Sequence, residues 1–337
     1  MMTIHPLHII PSLLMALSSL SAHAIYPDSL NQRMMQEEEQ AFLENMKPGL
    51  QHIQMLAVRK AMQGDDSDLQ QIRQSRNQVP ALSEEVATFY PTPSICLFYT
   101  KKADNRKRPI LLYLHGGGWC FGSINSCAKF CAAVALKSDC IVAALNYRLA
   151  PAHPFPAPIE DCKRAVAFLK KHANEWGGDS TDVSVGGDSA GGNLALATAV
   201  SVPGISKVIP IYPVTKLFTE QTSSWVKYGK GYGNDAELLE AFNEAYANHN
   251  EHNPLASVGL CSDGILKTLP PALFISAGHD ILYDQTAALV KRLQHLNMPV
   301  SYRIYPTATH LFITVAGQPT AFKNAVRDVC MFLNGSN

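Results

Sequence analysis

Gly187-Asp-Ser-Ala-Gly191 lies between an apolar, strand-like segment, Asp182 to Gly186, and an Ala- and Leu-rich stretch, Ala190 to Val200. A Gly-x-Ser-x-Gly turn between a strand and a helix is the pattern of a nucleophile elbow. The turn is so tight that the serine takes a strained backbone conformation and only small neighbours avoid collision. Its hydroxyl then stands at a helix N-terminus, where free N–H groups and the helix dipole favour developing negative charge. Taken alone, the pentapeptide also reads as a plain glycine-rich turn. Its placement between strand and helix makes Ser189 the candidate nucleophile.

A second glycine run, His115-Gly-Gly-Gly-Trp119, ends another apolar segment, Arg108 to Leu114. Consecutive glycines let the backbone approach a substrate, and no Cβ keeps their N–H groups from converging on one oxygen. The N–H groups of Gly117 and Gly118, joined by that of Ala190 after the nucleophile, are the expected oxyanion hole. The run lacks the Lys-Ser/Thr of a phosphate-binding loop and the spacing of a dinucleotide fingerprint.

A serine hydroxyl is a weak nucleophile at neutral pH, so a base and an orienting acid are required, in the order Ser, acid, His. Asp280 follows the strand-like Ala272 to Ala277, and His310 follows Val300 to Tyr305. Both are strand-end positions, as is Ser189, so the three can converge on one edge of a sheet. Asp284 competes as the acid, although an acidic residue there also suits the first turn of the next helix. His279 reads as a loop or pocket residue, Asp188 points away from the nucleophile, and His115 pins the glycine loop.

The elements that must position these groups alternate between strand and helix from Glu85 onward. That rhythm predicts an α/β chain with a mostly parallel, doubly wound sheet of about eight strands, opened by an edge hairpin over Val86 to Tyr90 and Ser94 to Tyr99. Further strands are expected over Cys140 to Leu145 and Lys207 to Ile211, with helices near Ser126 to Lys137, Ile159 to Asn174, Asp284 to Leu296 and Thr320 to Leu333. Residues 213 to about 268 interrupt the rhythm with a polar, aromatic-containing insertion. Together with two or three helices between Asn31 and Gln78, it is expected to form one cap over the strand ends, where open α/β sheets place ligands. The organisation is thus a leader at 1–24, an N-terminal cap segment at 25–84, and a catalytic domain at 85–337 that contains the cap insertion.

Lys plus Arg and Asp plus Glu both number 28, with no basic block, so nucleic acid is not an expected partner. The 8 cysteines form no C-x-x-C pair, which leaves zinc-ribbon and thioredoxin-like sites without support. They read as buried thiols, with Cys127 and Cys131 on one helix face. The stretch Ile9 to Leu20, followed by Ala22-His-Ala24, reads as a secretory signal peptide; it is too short to span a bilayer, and it lacks the usual Lys or Arg near its start. A periplasmic or secreted protein is expected, without stable membrane insertion once the leader is removed; cytoplasmic or N-terminally anchored placement is the alternative.

Three stretches resemble the hormone-sensitive-lipase-like, GDSAG-type bacterial carboxylesterase family of the α/β-hydrolase fold. They are His115-Gly-Gly-Gly-Trp119, Tyr147-Arg-Leu-Ala-Pro-Ala-His-Pro-Phe-Pro-Ala-Pro-Ile-Glu-Asp161 and Gly187-Asp-Ser-Ala-Gly-Gly-Asn193. The resemblance runs from about Glu85 to the C-terminus. It implies Ser189 as nucleophile, Asp280 as acid, His310 as base, and Gly117, Gly118 and Ala190 as the oxyanion hole, with no cofactor and no metal. Two departures stand out: Asp280-Ile-Leu-Tyr-Asp284 lacks the family's proline after the acid, and Leu311 replaces the commoner glycine after the base.

The expected reaction is hydrolysis of short- to medium-chain carboxylic esters through an acyl-enzyme. An amidase or arylformamidase would use the same groups, and a non-catalytic binding relative would have lost one of the three. Trp119, Phe121 and Leu311, with Trp225, Tyr228 and Tyr232, are candidate pocket residues. The balanced charge suggests an uncharged small-molecule ester, and a homodimer is compatible with the sequence.

Overall fold

The computed structural model describes residues 24–101 and 106–335. The expected leader therefore lies outside the described residues, apart from Ala24. Among the described residues, eight strands form one sheet: β1 (Val86–Thr92), β2 (Ile95–Thr100), β3 (Arg108–Leu114), β4 (Ile141–Leu145), β5 (Gly178–Asp188), β6 (Val208–Ile211), β7 (Ala272–His279) and β8 (Val300–Thr309). Their order is β1-β2-β4-β3-β5-β6-β7-β8. β2 runs antiparallel to both β1 and β4, and every pairing from β4 through β8 is parallel.

The central strands read as continuous apolar runs because helices cover both faces. On one face, Ile110, Leu112 and Leu114 of β3 and Ile141, Ala143 and Leu145 of β4 pack in a common core with Cys162, Val166, Leu194, Leu289 and Leu293. These last residues belong to α5 (Ala157–His172), α6 (Ala190–Ser201) and α10 (Tyr283–His295). On the other face, Leu111, Tyr113, Val142 and Ala144 pack with Phe130, Val134, Val326 and Val329, from α4 (Ile124–Ser138) and α11 (Pro319–Leu333). The period-2 alternation of the strands thus divides the apolar residues between two cores.

The structure lengthens β5 and β8 most beyond the sequence expectation. β5 begins at Gly178, which pairs with Arg108 across an irregularity in the register. β8 continues past Pro306 to Thr309 because it is the outermost strand of the sheet, where a missing N–H on the open side disturbs no ladder.

The region from Asn31 to Gln78 forms α1 (Ser29–Glu44), α2 (Leu50–Met62) and α3 (Ser67–Arg76). The Asp28 carboxylate caps α1 by accepting the Asn31 N–H at 2.9 Å. The insertion between β6 and β7 carries α7 (Ser223–Tyr228), α8 (Ala236–Ala247) and α9 (Asp263–Leu266). α2 packs on α8, and the Gln51 side-chain amide donates to the Gly233 carbonyl at 2.8 Å. α1 instead lies along β8 and α11, where Glu38 accepts from the Thr320 N–H at 2.9 Å and from its hydroxyl at 2.6 Å. The N-terminal helices thus reach the insertion through α2 and the outer edge of the sheet through α1.

Ahead of α1, Ile25 exchanges hydrogen bonds with Tyr302 and Ile304 of β8, at 2.9 and 3.1 Å. All 8 cysteines are buried free thiols. Cys127 and Cys131 lie one helical turn apart with their sulfurs 3.8 Å from each other. Among the described residues, no helix is long and apolar enough to cross a membrane.

Candidate active site

The register of the sheet brings the distant motifs to one edge. Leu114, the last residue of β3, pairs with Gly187 of β5, so the glycine run emerges beside the elbow. At the other end of the site, His279 of β7 pairs with Thr309 of β8, which sets Asp280 next to His310. Ser189 has φ +56° and ψ −117°, a conformation that L-residues avoid and that this turn enforces. Backbone bonds hold it: the Ser189 N–H donates to the Ile211 carbonyl at 2.9 Å, and its own carbonyl accepts from the Asn193 N–H at 3.0 Å and the Val214 N–H at 3.4 Å. A Cβ on Gly191 would collide with the Leu114 carbonyl, which is why the elbow ends in glycine.

His310 Nε2 lies 2.8 Å from Ser189 Oγ, and His310 Nδ1 lies 2.7 Å from Asp280 Oδ2. With the imidazole proton on Nδ1, that N–H donates to Asp280 and Nε2 accepts the serine hydroxyl. Asp280 and His310 are both buried. The other Asp280 oxygen accepts from the Leu282 N–H at 3.0 Å, which fixes the carboxylate plane.

Asp284, the competing acid, is occupied elsewhere. Its Oδ2 accepts from the Ser224 N–H at 2.8 Å, and the Asp284 N–H donates to the Ser224 hydroxyl at 3.1 Å. This reciprocal pair ties the start of α7 to the start of α10. His279 turns outward to the buried Glu39 of α1, with which it forms a short hydrogen-bonded pair, and stacks on Tyr228.

Gly117 and Gly118 have φ +114° and +59°, which glycine adopts without strain. Their N–H groups, and that of Ala190 at the start of α6, make no hydrogen bond among the described residues. Three free donors thus border Ser189. The loop is held from beneath and from the side. His115 stacks on Tyr147 with ring centroids 4.3 Å apart, and the Tyr147 hydroxyl donates to the His115 carbonyl at 2.7 Å. The Ala150 N–H donates to the Trp119 carbonyl at 2.9 Å. Arg73 of α3 donates to the Cys120 and Ala150 carbonyls, both at 2.8 Å. Sequence reasoning missed Arg73, since an arginine in a polar helix gives no sign that it reaches a loop far along the chain. It had singled out the Tyr147 to Asp161 stretch only by family likeness; physically, part of that stretch buttresses the glycine loop.

Asp188 lies buried under the same loop, where Tyr113 Oη donates to it at 2.9 Å. Burial raises its carboxyl from 3.8 to about 6, a rise partly offset by the Tyr113 hydrogen bond. Burial likewise lowers His115 to about 4, leaving a neutral ring at physiological pH. For Asp188 the folded value exceeds the unfolded one, so the folded protein holds an extra proton between these values and its stability falls as pH rises through the window. The shift corresponds to about 3 kcal/mol. In urea titrations between pH 4 and 7, wild type should lose about that much stability relative to Asp188→Asn, which cannot ionise. A constant difference across the range would contradict the assignment.

A cavity of about 790 Å³ opens over Ser189. Phe121 and Leu311 line it, together with Leu238, Leu239 and Phe242 of α8. Trp119 does not: it is fully buried and stacks face to face on Tyr246 at 4.2 Å, anchoring the glycine loop to α8. Trp225, Tyr228 and Tyr232 also lie outside the lining, the two tyrosines packing against His279. Their sequence positions in the insertion were right for a roof, but their side chains serve its packing. Among the described residues, no group of three or more His, Cys, Asp or Glu side chains is placed to hold a metal ion.

Comparison with known proteins agrees with this architecture. The family model described as alpha/beta hydrolase fold matches residues 111–314. Esterase LipI of Mycobacterium tuberculosis is 33% identical over 220 residues, which cover 64% of this chain and 68% of that protein. Ethyl acetate hydrolase of Pseudomonas putida is 34% identical over 211 residues, 60% of this chain and 65% of that protein. Among solved structures, an ester hydrolase from the metagenome of Lake Arreo, complexed with a bipyridine phosphonate derivative, is similar with a TM-score of 0.71 and 28% identity, covering 90% of this chain and 98% of that one. With the matched segment running from β3 through His310 and the strands in this order, the chain belongs to the hormone-sensitive-lipase-like family of the α/β-hydrolase fold.

Proposed function

We propose that the protein hydrolyses short- to medium-chain carboxylic esters by two-step acyl transfer. The observation that carries this reading is the hydrogen-bonded series Asp280–His310–Ser189, at 2.7 and 2.8 Å, beside three unengaged backbone donors. In the first step His310 Nε2 takes the Ser189 proton as Oγ attacks the ester carbonyl carbon. The carbonyl oxygen becomes an oxyanion held by the N–H groups of Gly117, Gly118 and Ala190. The tetrahedral species collapses as His310 returns the proton to the departing alcohol. Water, deprotonated by the same nitrogen, then attacks the acyl-enzyme, and His310 passes that proton to Ser189 Oγ as the acid departs. Asp280 keeps the Nδ1 proton in place throughout and stabilises the transient imidazolium.

The apolar walls built from Phe121, Leu238, Leu239, Phe242 and Leu311 suit an aliphatic chain, and the volume of about 790 Å³ suits a short or medium one. The esterase names of the relatives support the same class of reaction. Treatment with a phosphonate or sulfonyl fluoride, followed by peptide mass analysis, should place the adduct on Ser189; labelling elsewhere with Ser189 untouched would refute the reading. Among p-nitrophenyl esters, butyrate should exceed dodecanoate in kcat/KM, and esters should exceed the matching anilides. Faster anilides would make the protein an amidase. Absence of both labelling and turnover would make it a binding relative.

Export belongs to the same proposal. Cleavage after Ala24 would leave Ile25 as the first residue, already bonded to the edge of β8. N-terminal sequencing of protein recovered from outside the cytoplasm should begin at Ile25.

A further inference from the structure

The balanced composition of the chain conceals an unbalanced cavity. Among the described residues, three charged side chains line it: Arg76, Lys129 and Asp188. Asp188 is sealed beneath the glycine loop by its bond to Tyr113. Both charges that face the open space are therefore positive. Among the described residues neither Arg76 nor Lys129 has a carboxylate partner. The one described contact of Arg76 is with the face of Phe121, its guanidinium carbon lying 4.8 Å from the ring centroid. The surrounding protein desolvates the Arg76 guanidinium and holds it below the usual arginine range, although the side chain remains accessible. Arg76 ends α3, whose carbonyl terminus supplies only partial compensating charge.

The two helices that carry these cations are also tied to each other. Asn77, which follows Arg76, accepts at its side-chain oxygen from the Ser123 hydroxyl at 2.7 Å and from the Asn125 amide at 2.8 Å. Ser123 caps α4, and Lys129 lies one turn beyond Asn125 on that helix. The end of α3 and the start of α4 are thus stapled into one wall, adjoining Phe121 and the oxyanion loop. A desolvated arginine and a lysine without acidic partners, on one wall of a cavity that holds a nucleophile, form an anion site. Arginine can grip a carboxylate through two parallel N–H bonds, and lysine adds a point charge.

We infer that Arg76 and Lys129 bind a carboxylate on the substrate, and that the preferred substrates are esters carrying a carboxylate at the end remote from the scissile bond. This inference rests on the esterase reading of Ser189 and narrows it, replacing the uncharged ester suggested by overall composition.

The test uses two matched pairs at low salt. Monoethyl adipate against ethyl hexanoate puts the charge on the acyl side; 5-(butanoyloxy)pentanoate against pentyl butanoate puts it on the alcohol side. In at least one pair the charged ester should have the higher kcat/KM, by about tenfold, and the pair that responds identifies the side facing the basic wall. The preference should shrink in about 0.5 M NaCl, which screens accessible charges over a few ångströms. Arg76→Gln combined with Lys129→Gln should lower the charged-to-neutral ratio about tenfold, and Lys129→Glu should favour the neutral ester. Should the double variant fail to fold, Lys129→Gln on the exposed side of α4 and the salt series on wild type still decide. Equal or faster turnover of the neutral ester in both pairs, or a ratio insensitive to salt and to both lysine variants, would overturn the inference while leaving the esterase reading intact. If no ester turns over and Ser189 takes no label, the esterase reading itself falls.

Discussion

Ser189→Ala should lower kcat on p-nitrophenyl butyrate by roughly a million-fold, His310→Ala should cost a similar factor, and the double substitution should be no worse than either alone. The reason lies in the two hydrogen bonds of the site. His310 Nε2, 2.8 Å from Ser189 Oγ, acts in the first step by taking that proton and then passing it to the departing alcohol. Without the hydroxyl there is nothing to deprotonate, and without the imidazole the hydroxyl remains a weak nucleophile. Each loss therefore removes the same pathway, and the free energies do not add. The residual rate should be that of water attack on an ester held against the three free N–H groups. Single-turnover assays of the three variants check this directly. A double variant much slower than either single would mean that the two side chains contribute to separate steps.

Asp280→Asn should reduce kcat by about 10⁴-fold, whereas Asp284→Asn should stay within about tenfold of wild type. An asparagine can turn its amide N–H₂ toward His310 Nδ1, which must then accept. The ring proton moves to Nε2 and points at Ser189 Oγ, so the base becomes a donor and cannot take the serine proton. Asp284 lacks this connection, because its carboxylate and N–H are engaged with Ser224. Its replacement loosens the junction of α7 and α10 and should appear in thermal unfolding more than in kcat. Paired kcat and Tm measurements on the two variants separate the roles. A dead Asp284→Asn beside an active Asp280→Asn would reverse them.

Much of this was readable from residue order, because the elements that carry the chemistry obey local rules. Apolar runs ending in glycine identified β3 and β5, and the strand-end positions of Asp280 and His310 followed from alternation alone. Contacts made by residues far apart in sequence were not readable. An aromatic residue at the end of a glycine loop looks like a pocket wall, but Trp119 is taken up by Tyr246 of α8, which only tertiary packing could reveal. Asp284 could be set aside as the acid only once Ser224 was seen to engage it. The basic wall was concealed for a related reason: Arg76 and Lys129 belong to two helices separated by β1, β2 and β3, and their charges cancel against acids elsewhere when the chain is merely counted.

The N-terminal helices touch the chemistry at two separate points. Arg73 of α3 grips the carbonyls behind the glycine loop, and Glu39 of α1 holds His279, the residue before the acid. A lid that only shaped the pocket could be exchanged between relatives to alter substrate range while the rate-determining machinery stayed intact. This segment cannot be traded in that way. Any sequence that replaces it must also resupply support for the glycine loop and for the turn that carries Asp280, so a change made to reshape the pocket also bears on the groups around Ser189.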